Sequence, residues 1–526
     1  MRLSFRKPFA AAAAAAALAA TFVSPAWADV VLKVVPHADL KILDPVWTTA
    51  FVTRHHGYMI YDTLFGLTQK GEIKPQLVDS WNASPDNLHF SFTLREGLKF
   101  SDGSDLTTMD VLQSIRRWGA RDNLGAKLLA ALDKMEAKDA RTFTLDFKTP
   151  FGMVLDAFSK PSSIPLFIMP ERVAKTDPFT QITDMTGSGP YAFAADRYRP
   201  GERVVYLKNK FYKPRNEPAD GLAGGKVVNV DELDWVILRD SQTVANAIKK
   251  GEVDVVEMVP NEQYPILKAD PNIRLENQTG KQSAMLHLNH AIAPFNNPKA
   301  AQAALMAINQ AALQRAQIVY KELYNTCTSI YPCGSTYASG NTAYFTGKPQ
   351  FAKAKELLKE AGYKGEPIVL MLPADMPSLN KYPPVMAELL RRAGFTVDLQ
   401  SMDWASLVTR RTKSSPTSEG GWNAFITFWN QADTFNPLFF APLTGNGLKG
   451  WFGWTTDPEL EKLKDDFVKT SDPAERKKIA EGIQLRVMLS GVYGMLGEAK
   501  PMVALRSNIS GLVPAPVSVF WGLSKN

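Results

Sequence analysis

The sequence predicts an α/β protein made of two lobes, with an additional α+β domain inserted into the first lobe. The chain has 526 residues, of which 45% are hydrophobic, and this length exceeds what one hydrophobic core usually supports. Strand-like and helix-like segments alternate through most of the chain. Residues 65–186 differ, because short stretches there alternate polar and apolar residues as antiparallel strands do.

A βαβ unit is predicted between residues 235 and 256. Residues 235–238 form an apolar, β-rich run, and Ser241 then offers an N-cap for a helix whose apolar residues have helical spacing. Gly251 stands where a helix C-cap is expected, and a strand resumes at residues 254–256.

The second half repeats this order, which favours a mostly parallel sheet covered by helices. The predicted helices are 352–361 and 384–393, and the predicted strands are 368–372, 396–400 and 424–428.

The inserted domain is predicted from the alternating stretches 88–94 and 141–147. A turn at residues 100–103 precedes a helix that begins near Thr107 or Thr108. The Gly187-Ser188-Gly189-Pro190 stretch indicates a tight turn where the insertion rejoins its lobe.

The N-terminus has the order of a secretory signal peptide. Arg2, Arg6 and Lys7 precede an apolar stretch, residues 9–20, and small residues allow cleavage after Ala28. The apolar stretch is short for a membrane span, which makes an uncleaved anchor the weaker alternative. Export to the periplasm is therefore expected.

Composition excludes some functions. Removing the three basic residues of the signal peptide lowers the net charge from +7 to +4, and no basic run of the nucleic-acid-binding kind is present. The two cysteines, Cys327 and Cys333, are expected to form a disulfide in an exported chain. The six histidines show no zinc-like spacing with them, so neither a metal nor a cofactor is expected.

Eight short motifs lie, in order, at residues 43–45, 61–65, 75–81, 92–100, 102–111, 187–191, 251–254 and 354–363. Each motif alone is weak. Together and in this order they resemble the large solute-binding proteins of ABC importers for dipeptides, oligopeptides and nickel complexes.

The resemblance implies a monomeric receptor that closes around its ligand and is then recognised by membrane permease subunits. It divides the chain into a signal peptide (1–28), lobe I (29–64, 187–279 and 488–526), an inserted domain (65–186) and lobe II (280–487).

In peptide-binding members of this family, an aspartate of lobe II pairs with the ligand's α-amino group. The matching stretch, residues 428–437, contains Trp429, Asn430 and Asp433, and Asp433 is the best match. A buried ammonium needs a charged partner. Asp433 capping a helix or forming a turn remains the alternative.

The family's dipeptide binders also place an arginine after the strand that corresponds to 368–372. This chain has Asp375 there instead, which argues against a free dipeptide and favours a cationic ligand. Lys381 is a poorer clamp for a carboxylate. Trp422 belongs to an aromatic-rich region that suits a pocket wall, with ordinary core packing as the alternative. His55 lies in an early segment expected to face or cover the cleft, where a surface or capping role is favoured over metal binding.

The expected function is therefore capture of a short peptide or peptide-like amine between two closing lobes. An opine, an oligosaccharide and a nickel chelate are alternative ligands. A periplasmic hydrolase or chaperone is the alternative of another class. The HExxH, GxSxG and P-loop patterns are absent from the sequence, so no enzyme is expected.

Overall fold

The computed structural model describes residues 1–4, 29–470 and 472–526. The predicted signal peptide therefore lies outside the described residues except for its first four. Among the helices that the structure describes, none combines the length and apolar character needed to cross a membrane.

The first lobe is built on a seven-stranded mixed sheet. Its central strand, Val31–Val35, is parallel to both of its neighbours, Glu232–Val236 and Val255–Val256, and all other pairings are antiparallel. From edge to edge the strands are Ile273–Glu276, Val503–Arg506, Val255–Val256, Val31–Val35, Glu232–Val236, Arg203–Lys208 and Tyr191–Phe193. The helices are Phe51–Ile60, Ser241–Lys250 and Tyr264–Lys268. A ribbon of Ile509–Ser510 and Ser524–Lys525 follows near the C-terminus.

The predicted βαβ unit is present, with one change at its helix. The N-cap is Asp240, whose carboxylate accepts a hydrogen bond from the Thr243 amide at 2.7 Å, and Ser241 is the first helical residue. The prediction of Ser241 as the cap was wrong by one position, because both residues can accept from the helix amides. Gly251 is the C-cap, with a φ of 77°, a conformation that a glycine adopts without strain.

The inserted domain carries a four-stranded antiparallel sheet, as the alternating stretches predict. In sheet order the strands are Val78–Ala83, His89–Leu94, Thr142–Phe147 and Leu132–Ala137. The helices are Thr108–Gly119, Asn123–Ala131, Val154–Ser159 and Glu171–Ala174, and a ribbon of Phe65–Leu67 and Ile73–Pro75 joins the domain to the first lobe.

Gly187 lies where this domain returns to the first lobe. A Cβ atom at this position would lie 1.7 Å from the backbone oxygen of Ile60. The close passage of the two backbones therefore requires a residue without a side chain.

The second lobe contains a six-stranded mixed sheet. In order its strands are Tyr324–Asn325, Tyr493–Ala499, Gln282–Leu288, Ala424–Asn430, Ile368–Pro373 and Val397–Met402. Its helices are Pro298–Met306, Gln310–Gln317, Phe351–Glu360, Tyr382–Arg392, Trp404–Arg410, Gln431–Thr434, Pro458–Lys469 and Pro473–Ser490.

The expectation of a mostly parallel sheet was wrong. Ile368–Pro373 is parallel to its two neighbours, but Gln282–Leu288 and Tyr493–Ala499 are antiparallel to each other. The first of these strands follows the passage of the chain from the first lobe, and the second precedes its return. Strands that enter and leave a lobe at one place necessarily run in opposite directions.

The chain crosses between the two sheets twice. It passes to the second lobe between Glu276 and Gln282, and it returns between Ala499 and Val503. The predicted division at residue 488 therefore places strand Tyr493–Ala499 in the wrong lobe, because that strand pairs with Gln282–Leu288. The crossings touch, since the Asn277 side-chain amide donates to the Pro501 carbonyl oxygen at 2.6 Å.

Cys327 and Cys333 form the predicted disulfide, with 5.9 Å between their Cα atoms. The Cys333 amide donates to the buried carboxylate of Glu498 at 2.8 Å. The disulfide closes a short loop beside the sheet of the second lobe.

Candidate functional site

A cavity at the meeting of the two lobes, here called the interlobe crevice, lies at the carboxyl ends of parallel strands from both sheets. On the first lobe, residues after Val31–Val35, Glu232–Val236 and Val255–Val256 line it. On the second lobe, residues after Ile368–Pro373 and Val397–Met402 line it. Ligands of open α/β sheets bind at such strand ends, so the topology itself places a binding site here.

The crevice wall carries charges of both signs. Its acidic side chains are Asp39, Asp375 and Asp403, and its basic ones include Lys41, Arg239 and Lys500. Lys41 and Asp403 belong to different lobes and lie 3.6 Å apart, with nearly half of each side chain exposed. An exposed pair of this kind contributes little energy, so these charges remain available to a ligand.

The lobes also touch through apolar groups beside the crevice. The Phe51 ring of the first lobe lies 5.4 Å from the Phe428 ring of the second, measured between centroids. Phe51 also packs edge-on against Trp429 at 6.3 Å. The structure therefore represents a closed arrangement of the lobes.

Asp375 lines the interlobe crevice, as the sequence position after its strand suggests. Its Oδ1 atom accepts a hydrogen bond from the Trp404 amide at 2.6 Å. This bond fixes the carboxylate at the mouth of the loop that follows Ile368–Pro373.

Asp433 lies deeper, with its side chain fully buried. It is part of a capping box at helix Gln431–Thr434, where Asp433 Oδ2 accepts from the Asn430 amide at 2.9 Å. Its other oxygen accepts from the Ser163 hydroxyl at 3.2 Å. Burial raises the pKa of Asp433, and the positive charge of Arg54 partly offsets this.

Arg54 reaches Asp433 from the first lobe. Its Nη1 atom lies 3.9 Å from Asp433 Oδ2, and neither side chain is exposed. Nη1 also donates to the Ser162 hydroxyl, and the guanidinium lies over the Phe51 ring at 4.1 Å. The sequence suggests Asp433 as the partner of a ligand amine. In the structure, this carboxylate already faces a cationic side chain of the protein, Arg54.

A second buried carboxylate, Glu257, follows directly after strand Val255–Val256. Its two oxygens lie 2.9 Å from His37 Nδ1 and 2.8 Å from His55 Nδ1. Burial raises the pKa of Glu257, but the two histidines outweigh it and hold this pKa well below its usual value. Burial lowers the pKa of His55 to about 4, against the opposing effect of Glu257, so His55 is neutral at neutral pH.

This cluster faces a small cavity, here called the Glu257 cavity, that both lobes enclose. The cavity shares His37, Met258, Gln282 and Pro501 with the interlobe crevice and therefore adjoins it. Its remaining lining residues are Phe51, His55, Glu257, Gln278, Thr279, Asn430, Val503 and Ser518.

The same three side chains include the donor atoms that a metal would need. One ligand atom each from His37, His55 and Glu257 lies within 4.8 Å of the others. The second such group, Cys327, Cys333 and Glu498, has its sulfurs joined in the disulfide and offers no thiolate.

The predicted aromatic residues fall in two environments. Trp429 lines a third small cavity with Phe51, Trp404 and Arg411, and its Nε1 donates to His287 Nε2 at 3.0 Å. Trp422 is fully buried in a separate aromatic cluster, where its Nε1 donates to the Arg411 carbonyl oxygen at 3.1 Å. Trp422 and Asp433 line none of these three cavities.

Sequence reasoning missed Arg54, His37 and Glu257. A usable indication existed for two of them, because His37 and Glu257 each stand just after a predicted or apolar strand, at the strand ends where ligands bind. The sequence contains no such indication for Arg54, because a buried arginine in a helix cannot be distinguished by sequence from a solvent-exposed one.

The fold and the crevice together define a two-lobed solute-binding protein. A model described as "Bacterial extracellular solute-binding proteins, family 5 Middle" matches residues 72–451. The chain belongs to family 5 of the bacterial extracellular solute-binding proteins, and it is a substrate-binding receptor.

Similar proteins cover nearly the whole chain. A probable peptide ABC transporter periplasmic-binding protein, y4tO of Sinorhizobium fredii, is 36% identical over 496 residues, covering 93% of this chain and 92% of that protein. The glutathione-binding protein GsiB of Escherichia coli K12 is 26% identical over 507 residues, covering 94% and 93%. The solved structure of the periplasmic binding protein AgaA from A. tumefaciens R10, in complex with agropinic acid, has a TM-score of 0.79 at 23% identity, covering 94% of this chain and 99% of that one. The last likeness is one of fold.

Proposed function

We propose that this protein is the exported receptor of an ABC importer, and that it captures a short peptide or a peptide-like amine in the interlobe crevice. The observation that carries the proposal is the crevice itself, which both lobes line with charged side chains at the carboxyl ends of parallel strands. The name of the 36% identical relative supports a peptide ligand and an ABC importer as partner. The N-terminal pattern of residues 1–28 supports export to the periplasm.

The charges of the crevice suit a zwitterion. Asp375 and Asp39 offer negative charge, and Lys500 offers positive charge at the crossing between the lobes. A peptide carries both an ammonium and a carboxylate, so one ligand can satisfy both walls. Among the residues expected from sequence, we assign ligand contact to Asp375, His55, Asn430 and Trp429, which line the three cavities. We assign a positioning role to Asp433 and Trp422.

A second candidate ligand is an opine or another amino-acid conjugate. It is considered because the loop after Ile368–Pro373 has Asp375 and no arginine through Asn380, which argues against a free dipeptide. The free carboxylate of a dipeptide lacks a bidentate partner at this position.

The proposal is tested by incubating the purified mature protein with a mixed library of di- to pentapeptides and, separately, with opines. Native mass spectrometry then identifies any bound mass, and small-angle scattering measures compaction. We expect one ligand per chain, bound without hydrolysis and with a smaller radius of gyration. Turnover of the peptides, or no binding and no compaction with either set, would contradict the proposal.

A further inference from the structure

Five buried side chains form a continuous chain of polar contacts from the second lobe to the crevice wall. Asp433 faces Arg54, Arg54 Nη2 lies 2.8 Å from His55 Nε2, and both His55 and His37 contact Glu257. The order of charges along this series of side chains decides what the Glu257 cavity can bind.

Arg54 fixes the tautomer of His55. A guanidinium can only donate hydrogen bonds, so His55 Nε2 must accept, and the ring proton of neutral His55 must sit on Nδ1. His55 Nδ1 lies 2.8 Å from Glu257 Oε1. His55 therefore has no lone pair on Nδ1 to offer a metal ion, which argues against a metal held by His37, His55 and Glu257.

The formal charges along this series of contacts do not balance. Two carboxylates, Asp433 and Glu257, share a single guanidinium, that of Arg54, which is paired with Asp433. In the part of the chain that the structure describes, the only ion-pair partners of Glu257 are the two histidines. A buried carboxylate in a site of low dielectric constant is stabilised strongly by a cation placed beside it.

The Glu257 carboxylate can also accept one more hydrogen bond. Its Oε2 atom accepts from the backbone amide of His37, and His37 Nδ1 lies 2.9 Å from the same oxygen. Among the described residues, the only ion-pair contact of its Oε1 atom is with His55 Nδ1. A carboxylate oxygen accepts about two hydrogen bonds, so Oε1 retains a free position, and Glu257 lines the cavity.

We propose that the Glu257 cavity is the subsite for a primary ammonium group of the ligand, with Glu257 as its charged partner in place of Asp433. This subsite rests on the proposed capture of a peptide-like amine in the adjoining crevice. An ammonium brings three donors and no acceptor. The cavity supplies acceptors from both lobes, since Glu257 and Ser518 belong to the first and Gln282 to the second. Binding there would therefore favour lobe closure.

The test compares wild-type protein with Glu257→Gln, using the same di- to pentapeptide library in free and N-acetylated form. Acetylation removes the positive charge from every primary amine of the ligand. Native mass spectrometry selects a bound peptide, and calorimetry measures the affinity for its two forms. Glu498→Gln is the matched control, because Glu498 is a fully buried carboxylate that lines none of the three cavities.

We expect acetylation to weaken binding to wild type and to Glu498→Gln at least tenfold. We expect Glu257→Gln to lose the same factor for the free peptide and to bind both forms equally. Thermal unfolding of each variant confirms that it is folded, and Glu257→Asp, which keeps the charge, should recover part of the affinity. If Glu257→Gln still distinguishes the two forms as wild type does, the subsite is wrong while peptide capture stands. If neither library binds to wild type, peptide capture itself fails.

Discussion

Arg54 and Asp433 belong to different lobes, yet they face each other at 3.9 Å with neither side chain exposed. Arg54 comes from helix Phe51–Ile60 of the first lobe, and Asp433 follows strand Ala424–Asn430 of the second. Opening the lobes separates the two charges and hydrates both. Closure therefore costs desolvation, and it is tolerated only while both partners are present.

Replacing Asp433 with asparagine should weaken ligand binding by hindering closure. A buried charge left without its partner costs about 3–5 kcal/mol, which corresponds to a loss of affinity of roughly a hundredfold or more. Calorimetry with a ligand from the library measures this loss, and scattering should show less compaction at saturation.

The double variant Arg54→Gln/Asp433→Asn separates this explanation from a direct contact between Asp433 and the ligand. Removing both charges should recover a large part of the affinity, because no uncompensated charge remains. If the double variant binds as weakly as Asp433→Asn, and only amine-bearing ligands are affected, then Asp433 anchors the amine itself.

Stability should fall as the pH drops below the ordinary pKa of histidine. Burial lowers the pKa of His55 to about 4, and burial lowers the pKa values of His56 and His287 to about 3. The unfolded chain therefore takes up about three protons near pH 5 that the native protein does not, which lowers stability by roughly 4 kcal/mol per pH unit. The raised pKa of Asp433 opposes this fall in stability.

Urea unfolding at a series of pH values between about 7 and about 5 measures this slope. His56→Gln is the informative variant, because His56 lies outside the three cavities and its Nδ1 contacts the Tyr206 hydroxyl at 2.9 Å. It should reduce the slope by about 1.4 kcal/mol per pH unit. An unchanged slope would show that His56 is protonated in the native protein.

Replacing both Cys327 and Cys333 with serine should lower stability modestly. The bridge spans a sequence separation of 6, and closing so short a loop restricts the unfolded chain by about 2 kcal/mol. Unfolding of the variant and of reduced wild type should agree, and ligand affinity should be unchanged, since neither cysteine lines the three cavities. A marked loss of affinity would show that the loop contributes to the site.

Gly187→Ala should destabilise the junction between the inserted domain and the first lobe. The new Cβ would lie 1.7 Å from the Ile60 carbonyl oxygen, so the backbone must shift, at a cost of about 3 kcal/mol. Gly152→Ala is the control, because no atom other than those of its chain neighbours lies within 4 Å of its added Cβ. Equal melting temperatures for the two variants would contradict the close approach.

The elements of the fold were largely predictable, because apolar periodicity and glycine caps are local properties. The alternation of polar and apolar residues in 88–94 identified strand His89–Leu94. The glycine at position 251 identified the end of helix Ser241–Lys250. The antiparallel course of Tyr493–Ala499 was not predictable from its own residues. It depends on where the chain returns to the first lobe, which is a property of the whole topology.

The candidate site was predictable only in part. Asp375 follows a predicted strand and Trp429 lies near the end of another, so their positions in the sequence identified them. Both residues line cavities in the structure. The contact of Arg54 with Asp433 joins residues 379 positions apart, and no spacing in the sequence records it. For the same reason the neutralisation of Asp433 could not be foreseen from its motif.

The two crossings between the sheets lie side by side and are tied by the Asn277 side chain to Pro501. A pair of short adjacent connections leaves the lobes little freedom except rotation about one axis. Every ligand that closes the protein would then produce nearly the same outer shape. A membrane partner could therefore sense that the receptor is loaded without contacting the ligand, and the breadth of ligands accepted would be set by the crevice alone.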